Sequence, residues 1–301
     1  MEVSTGKIRS AGALAGFRWL RDAIDIGRRG ALAIFGGAGL LLLVGMVAMI
    51  ALAIVGIGGI AAFGASTAAT LAMWFVFMVP LLLLFAFGLV GYMRVIDAVE
   101  SGRAARATDA LRGFADVGAG LDAFLVLLVV VVVQQAVMIG IIAAWAPEVG
   151  RWYLSTLHGA ATGAQHAVPA GFWKVYLVNM VFGTVGNGLQ AVAVGQVALR
   201  GRGIAAALRE GALGVLRNLP ALFVLVLSGI ALVTVLAVLV VAAVMLLMTV
   251  GKLFALWLAA IVGAVLYLAL LVATIAVGGA AMYYMWRDIA GPGETPAAVA
   301  A

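Results

Sequence analysis

Apolar residues in this chain come in six long, nearly uninterrupted runs, separated by short polar and mostly basic segments. The runs cover about residues 31–63, 71–92, 123–146, 175–198, 219–250 and 253–284. A helix crosses the ~30 Å hydrocarbon layer of a bilayer with roughly 20 apolar residues. Each run reaches that length, so the pattern predicts an all-α polytopic membrane protein with six transmembrane helices. A transmembrane β-barrel needs strands that alternate apolar and polar positions. Residues 126–133 are continuously apolar instead, and helices satisfy their own backbone hydrogen bonds in lipid. Runs beyond 30 residues exceed a vertical crossing, so tilts, kinks or interfacial ends are expected. Gly56, Gly58 and Gly59 mark one candidate break, and the small residues at 64–67 mark the turn between the first two runs.

The polar segments carry a pattern of their own. A basic, helix-compatible stretch precedes each pair of runs, at 16–22, 103–114 and 200–217. In the first, Phe17, Leu20 and Ile24 share one face, and Arg18, Arg21 and Arg28 fall elsewhere. In the third, Leu208, Ala212, Val215, Leu216 and Leu219 form the apolar stripe, with Arg202, Arg209 and Arg217 away from it. Apolar spacing of i, i+3, i+4 and i+7 with basic flanks suits a helix lying in the headgroup layer. The chain therefore reads as three hairpins, each preceded by a basic interfacial helix. Residues 1–30 form a cytoplasmic amphipathic N-terminal segment, 31–290 the six-helix transmembrane domain, and 291–301 a flexible C-terminal tail. The first residues lack the short apolar stretch of a cleavable signal.

Charge gives an orientation. The segments 1–30, 93–122, 199–218 and 285–301 hold 15 of the 18 Lys and Arg residues. Basic loops stay in the cytoplasm during insertion, so this side is predicted to be cytoplasmic, with both termini on it. Composition agrees with a membrane setting: 66% of residues are hydrophobic and 10% charged, against roughly a quarter charged in soluble domains. The net charge of +6 sits between apolar runs. It therefore points to an anionic membrane surface as partner and not to nucleic acid. The lipid-headgroup candidates are Arg18, Arg21, Arg28, Arg29, Arg200, Arg202, Arg209 and Arg217.

Candidate chemistry is sparse. The absence of cysteine excludes disulfides, thiolate nucleophiles and cysteine-based metal sites. His158 and His166 share an external loop whose one carboxylate is Glu148, too few ligands for a metal centre. No metal or other cofactor is expected. Trp145, Trp152, Tyr153, Phe172, Trp173 and Tyr176 cluster around that loop, as a headgroup-level anchor or as a partner surface. The carboxylates Asp22, Asp25, Asp97 and Glu100 are read as ion-pair partners of Arg18, Arg21, Arg28 or Arg94. Gly201-Arg202-Gly203 lacks the length and the Lys-Ser/Thr of a phosphate loop. The fourth run is the one with a polar face: Asn179, Gly183, Gly186, Asn187 and Gln190 follow helical steps, and Gln134 and Gln135 sit in the third run. Amides in hydrocarbon need partners. They either glue helices together or line a path for a polar substrate or lipid headgroup. Catalysis is not evident. The two functional readings are a lipid-contacting scaffold or regulator, with a protein partner or a second copy, and a transporter or lipid-translocating protein using the fourth span.

Several short stretches carry a family resemblance. They are Gly16-Phe17-Arg18-Trp19-Leu20-Arg21-Asp22-Ala23, Gly91-Tyr92-Met93-Arg94-Val95-Ile96-Asp97 with Ser101-Gly102-Arg103, Leu111-Arg112-Gly113-Phe114, Leu216-Arg217-Asn218-Leu219-Pro220 and Tyr284-Met285-Trp286-Arg287-Asp288-Ile289. With this layout the chain resembles a group of uncharacterised proteobacterial six-helix integral membrane proteins. It is similar, more remotely, to the membrane domain attached to some glycerophosphodiester phosphodiesterases. Arg103 departs from that pattern, which usually has an acidic residue there. The resemblance implies the six-helix fold and a place in the bacterial cytoplasmic membrane. It implies no activity, because the phosphodiesterase catalytic domain is absent.

Overall fold

A computed structural model of the chain describes residues 8–63, 67–159, 167–254 and 256–292. Those residues form eight α-helices and one 3₁₀ helix: α1 Ala15–Phe63, α2 Thr67–Glu100, the 3₁₀ helix Ala107–Phe114, α3 Val117–Trp145, α4 Pro147–Gly159, α5 Phe172–Arg200, α6 Ile204–Arg217, α7 Leu219–Phe254 and α8 Leu256–Ala290. No strand occurs among the described residues. Six of the helices (α1, α2, α3, α5, α7 and α8) are long and apolar enough to cross a membrane, so the chain is an all-α polytopic membrane protein.

The helices overrun the apolar runs. With 36 residues and ~1.5 Å per residue, α7 is about 54 Å long, well beyond the ~30 Å hydrocarbon layer. The excess is informative at the basic end, where α2 continues through Arg94, Asp97 and Glu100 and α8 through Arg287 and Asp288. The predicted break near Gly56 is absent, and α1 stays helical there. It leaves helical geometry at Gly30 instead (φ −158°, ψ 52°). The kink divides α1 into an amphipathic start and a membrane-length remainder, where the basic segment meets the first apolar run. Residue 30 lies against Val99 of α2, 2.9 Å from where a Cβ would stand.

The three basic segments do not pack alike. The first begins α1 and buries Ala15, Trp19, Ala23 and Ile26, leaving Phe17 and Ile24 half-exposed. The stripe read from the sequence is thus the outer face, which Arg21 and Arg28 share instead of falling away from it, and a second apolar face binds the protein. The third is α6, which buries the small residues Ala207, Gly211 and Gly214 beside Val215 and exposes Leu213 and Leu216. The second is a 3₁₀ helix drawn into the bundle between α1 and α2, with Ala110 fully buried. Glycine makes that close approach possible. A Cβ on Gly91 would overlap the Ala110 carbonyl oxygen, and one on Gly113 would overlap the Phe87 carbonyl oxygen. The segment between α3 and α5 also folds in part, as α4.

The packed core lies at the basic end. Trp19, Ile34, Met93, Ile96, Leu127, Leu222 and Ile289 are essentially inaccessible there. There α8 packs against α1, α2, α5 and α7. Farther along, Ile50, Val238, Leu246 and Trp257 point outward, as lipid-facing side chains do.

Candidate functional site

Two features at and below the basic end are candidates for function: a layer of arginines and carboxylates, and the polar face of α5. The layer comes first, because it holds the helix ends. Helix C-termini leave carbonyls without intrahelical partners. Arg9 answers this for α8: its backbone N–H donates to Ile289 O at 2.9 Å, Nε to Asp288 O at 2.7 Å and Nη2 to Arg287 O at 2.5 Å. Arg94 does the same for α5, donating to Ala198 O at 3.0 Å. Its other nitrogen reaches Asp116 at 2.7 Å, and Asp116 in turn caps α3 by accepting from the Ala119 N–H at 3.1 Å. The Arg94 guanidinium, followed by that backbone N–H, holds the Asp116 carboxyl below its ordinary pKa. Gly201 ends α5 in the left-handed conformation (φ 60°), which glycine adopts without steric cost.

Glu100 is the most enclosed member of the ion pairs, with its side chain 5% exposed. One oxygen accepts from Arg29 at 2.6 Å and from Tyr284 Oη at 2.6 Å, and the other from Arg287 at 2.5 Å. The Arg287 guanidinium also lies over the Tyr284 ring, 4.7 Å from its centroid. Next to this group Asp97 accepts from Tyr283 at 3.0 Å and from Arg103 at 2.5 Å. Asp288 accepts from Trp19 Nε1 at 2.8 Å and pairs with Arg18. Buried Gln196 donates to Glu210 and accepts from Trp286 Nε1.

The sequence-based headgroup candidates fall into three groups. Arg18, Arg29 and Arg202 face carboxylates of other helices or loops, namely Asp288, Glu100 and Glu210, the last at 3.9 Å. Arg21 and Arg28 pair with their near neighbours Asp22 and Asp25, and their side chains are 71% and 87% exposed. Arg200, Arg209 and Arg217 are exposed, and Arg217 donates to Ile8 O. The carboxylate pairing holds in part. Asp22 and Asp25 pair with Arg21 and Arg28 as expected, whereas Asp97 and Glu100 pair with Arg103, Arg29 and Arg287 and leave Arg94 to Asp116. Nothing local in the sequence pairs Arg9 with Asn218 or Trp19 with Asp288, because these residues lie far apart along the chain.

Asn218 closes the layer from the α6–α7 junction. It is buried, donates to Arg9 O at 2.9 Å and Gly214 O at 2.8 Å, and accepts from the Ala11 N–H at 2.7 Å. Asn218→Leu is therefore expected to cost about 2–3 kcal/mol, since it orphans buried backbone groups. A thermal melt in detergent measures it, and an unchanged midpoint would show that residues 9–11 are not anchored there.

The α5 face splits in two. Gln134 of α3 donates to Phe182 O at 3.2 Å, and a Cβ at Gly186 would overlap that amide. This half is helix-to-helix contact. Asn187 and Gln190 instead line a cavity of about 390 Å³ between α5, α7 and α8, with Thr184, Thr274 and otherwise mostly apolar side chains. Among the described residues, neither amide has a side-chain hydrogen-bond partner. Both threonines bond their own helix, to Met180 O and Leu270 O. Asn179 and Gln135 are exposed. At the far end Phe172 packs against Trp152, Trp173 and Tyr176, while Trp145 and Trp173 point outward. The His158 and His166 side chains lie outside the described residues. No family model, no curated protein and no solved structure matches this chain.

Proposed function

We propose that this protein is a lipid-contacting scaffold or regulator of the bacterial cytoplasmic (inner) membrane, with both termini cytoplasmic, akin to the proteobacterial six-helix proteins it resembles. One observation carries the reading. The two amphipathic helices at the basic end turn apolar and basic side chains outward together: Phe17 and Ile24 beside Arg21 and Arg28, and Leu213 and Leu216 beside Arg209 and Arg217. Such a surface suits the headgroup layer of an anionic leaflet, where each basic residue contributes about 1 kcal/mol. Anionic phospholipid is expected to raise the melting temperature of the purified protein in nanodiscs. The triple variant Arg21→Gln, Arg28→Gln, Arg209→Gln should lose most of that gain while keeping its stability in zwitterionic lipid. Equal melting in both lipids would refute specific lipid dependence. A periplasm-active reporter fused at the C-terminus should stay silent.

A second reading is favoured by the α5–α7–α8 cavity. Unpartnered amides in hydrocarbon are costly, and a translocated amphiphile is one group that satisfies them. Asn187→Leu with Gln190→Leu then abolishes flux in proteoliposomes with the fold intact. Under the scaffold reading the same pair leaves lipid flux at the level of empty vesicles in both proteins.

A further inference from the structure

A second, larger cavity lies next to the α5–α7–α8 cavity, shares Phe85, Gly278 and Met282 with it, and takes no part in either reading above. It has a volume of about 790 Å³, lies between α1, α2 and α8, and is walled almost wholly by apolar side chains. Its floor is formed at the basic end by Leu89 and Tyr92, both buried, and its rim by Met46, Ile50 and Phe85, all well exposed. It is therefore a cleft open sideways to the surrounding lipid and closed below. The one polar atom of the floor is already used, because Tyr92 Oη donates to Ile34 O at 3.1 Å. Nothing at the closed end invites a polar group, and an apolar cavity of this kind holds no water.

The glycines of the cleft give the second observation. Glycine in a membrane helix ordinarily lets a neighbouring helix come close. Gly279 does so, since a Cβ there would stand 2.6 Å from the Tyr92 ring. Gly45 and Gly278 line the same cleft, yet a Cβ on either would meet no atom within 4 Å. These two residues do not draw helices together. They widen a space between helices that already meet at its floor. α1 packs on both α2 and α8, so a further helix, about 10 Å across, has no room to seat against that floor. A hydrocarbon chain is slender enough. The volume falls within the range of small-molecule sites, about 300–1,000 Å³.

We propose that this cleft is a binding site for the hydrocarbon chain of a membrane lipid, which enters sideways past Met46 and Phe85 and ends on Tyr92. Recognition is of the chain and not of the headgroup, so the site is separate from the basic surface.

A phospholipid carrying a diazirine near the methyl end of one acyl chain tests this in proteoliposomes. Photolabel is expected on Leu89 and Tyr92, the buried floor, at several times the level on Val238, a lipid-facing residue of α7. Phosphatidylglycerol and phosphatidylethanolamine versions should label the cleft alike. Gly45→Leu places its side chain in the open space and should lower cleft labelling by at least about tenfold, with labelling at Val238 unchanged. Gly278→Leu is the second variant and should act in the same way if Gly45→Leu melts early. Equal labelling of cleft and α7 in the parent protein would overturn the proposal, as would undiminished cleft labelling in a variant that melts normally. Labelling by the anionic lipid alone would assign the contact to headgroup recognition and also reject the chain site.

Discussion

Glu100→Ala is expected to destabilise the fold by about 2–4 kcal/mol, near the value for removing one partner of a buried ion pair. The estimate is kept below the full range because Arg29 and Arg287 are themselves 56% and 37% exposed and recover some hydration. Three donors lose their acceptor at once: the two guanidiniums and Tyr284 Oη. They come from two helices, the start of α1 and the end of α8, and Glu100 itself ends α2, so the loss loosens three elements and not one contact. Glu100→Gln separates charge from shape. It keeps one acceptor oxygen and should fall between the parent and Glu100→Ala. Melting midpoints with a denaturant titration in a mild detergent give the magnitudes. The decisive comparison is a double-mutant cycle with Arg29→Ala. Arg29→Ala should cost clearly less in the Glu100→Ala background than alone, and additive costs would show that the pair is not coupled.

Gly91→Ala is expected to be worse, although it adds a single methyl group. The methyl would enter the Ala110 carbonyl oxygen, and a backbone carbonyl at this position cannot rotate away as a side chain does. Gly113 faces the same problem at the Phe87 carbonyl. Either substitution must push the 3₁₀ helix off α2, unseating buried Ala110 and the stacked Phe87–Phe114 pair. Losses above about 4 kcal/mol arise from this kind of forced rearrangement. Gly91→Ala and Gly113→Ala should each yield protein that aggregates on size exclusion. Gly140→Ala, whose added methyl meets nothing within 4 Å, should be neutral or slightly stabilising, as expected for replacing glycine within a helix. Monodisperse Gly91→Ala protein with the parent's melting temperature would contradict the packing described.

The six spans were readable from the sequence because each is a local property: about 20 apolar residues in a row need no knowledge of the partner. The amphipathic start of α1 was readable for the same reason, but its inner face was not. Phe17, Leu20 and Ile24 form as good a stripe as Trp19, Ala23 and Ile26, and periodicity alone does not say which stripe meets protein. The 3₁₀ helix was missed as a packed element because its burial depends on glycines in two separate segments, Gly91 and Gly113. The polar layer was the least legible part. Its bonds join residues far apart, such as Arg29 with Glu100 and Arg18 with Asp288. Nearby carboxylates such as Asp97 gave a plausible local partner for Arg94 that the fold does not use. On α5 the helical spacing grouped the polar residues into one stripe. It could not foresee that one residue step separates Gly186, pressed on Gln134, from Asn187, facing a cavity.

The bonds from Arg9 to the end of α8 span 279 and 278 positions along the chain. A ribosome making about 5–20 residues per second needs roughly 15–55 s between synthesising the two ends of that contact. Through that interval the arginine has no helix terminus to cap, and for most of it Asn218 has not yet been made to hold its backbone. The amphipathic start of α1 must wait at the membrane surface while the later spans are threaded. A chain arrested before Asn218 lacks both anchors of this start, and one arrested between Asn218 and α8 keeps the Asn218 bonds to Arg9 and Ala11 but lacks the cap. The arrangement thus secures the start of the chain in two steps, first at Asn218 and then at the end of α8.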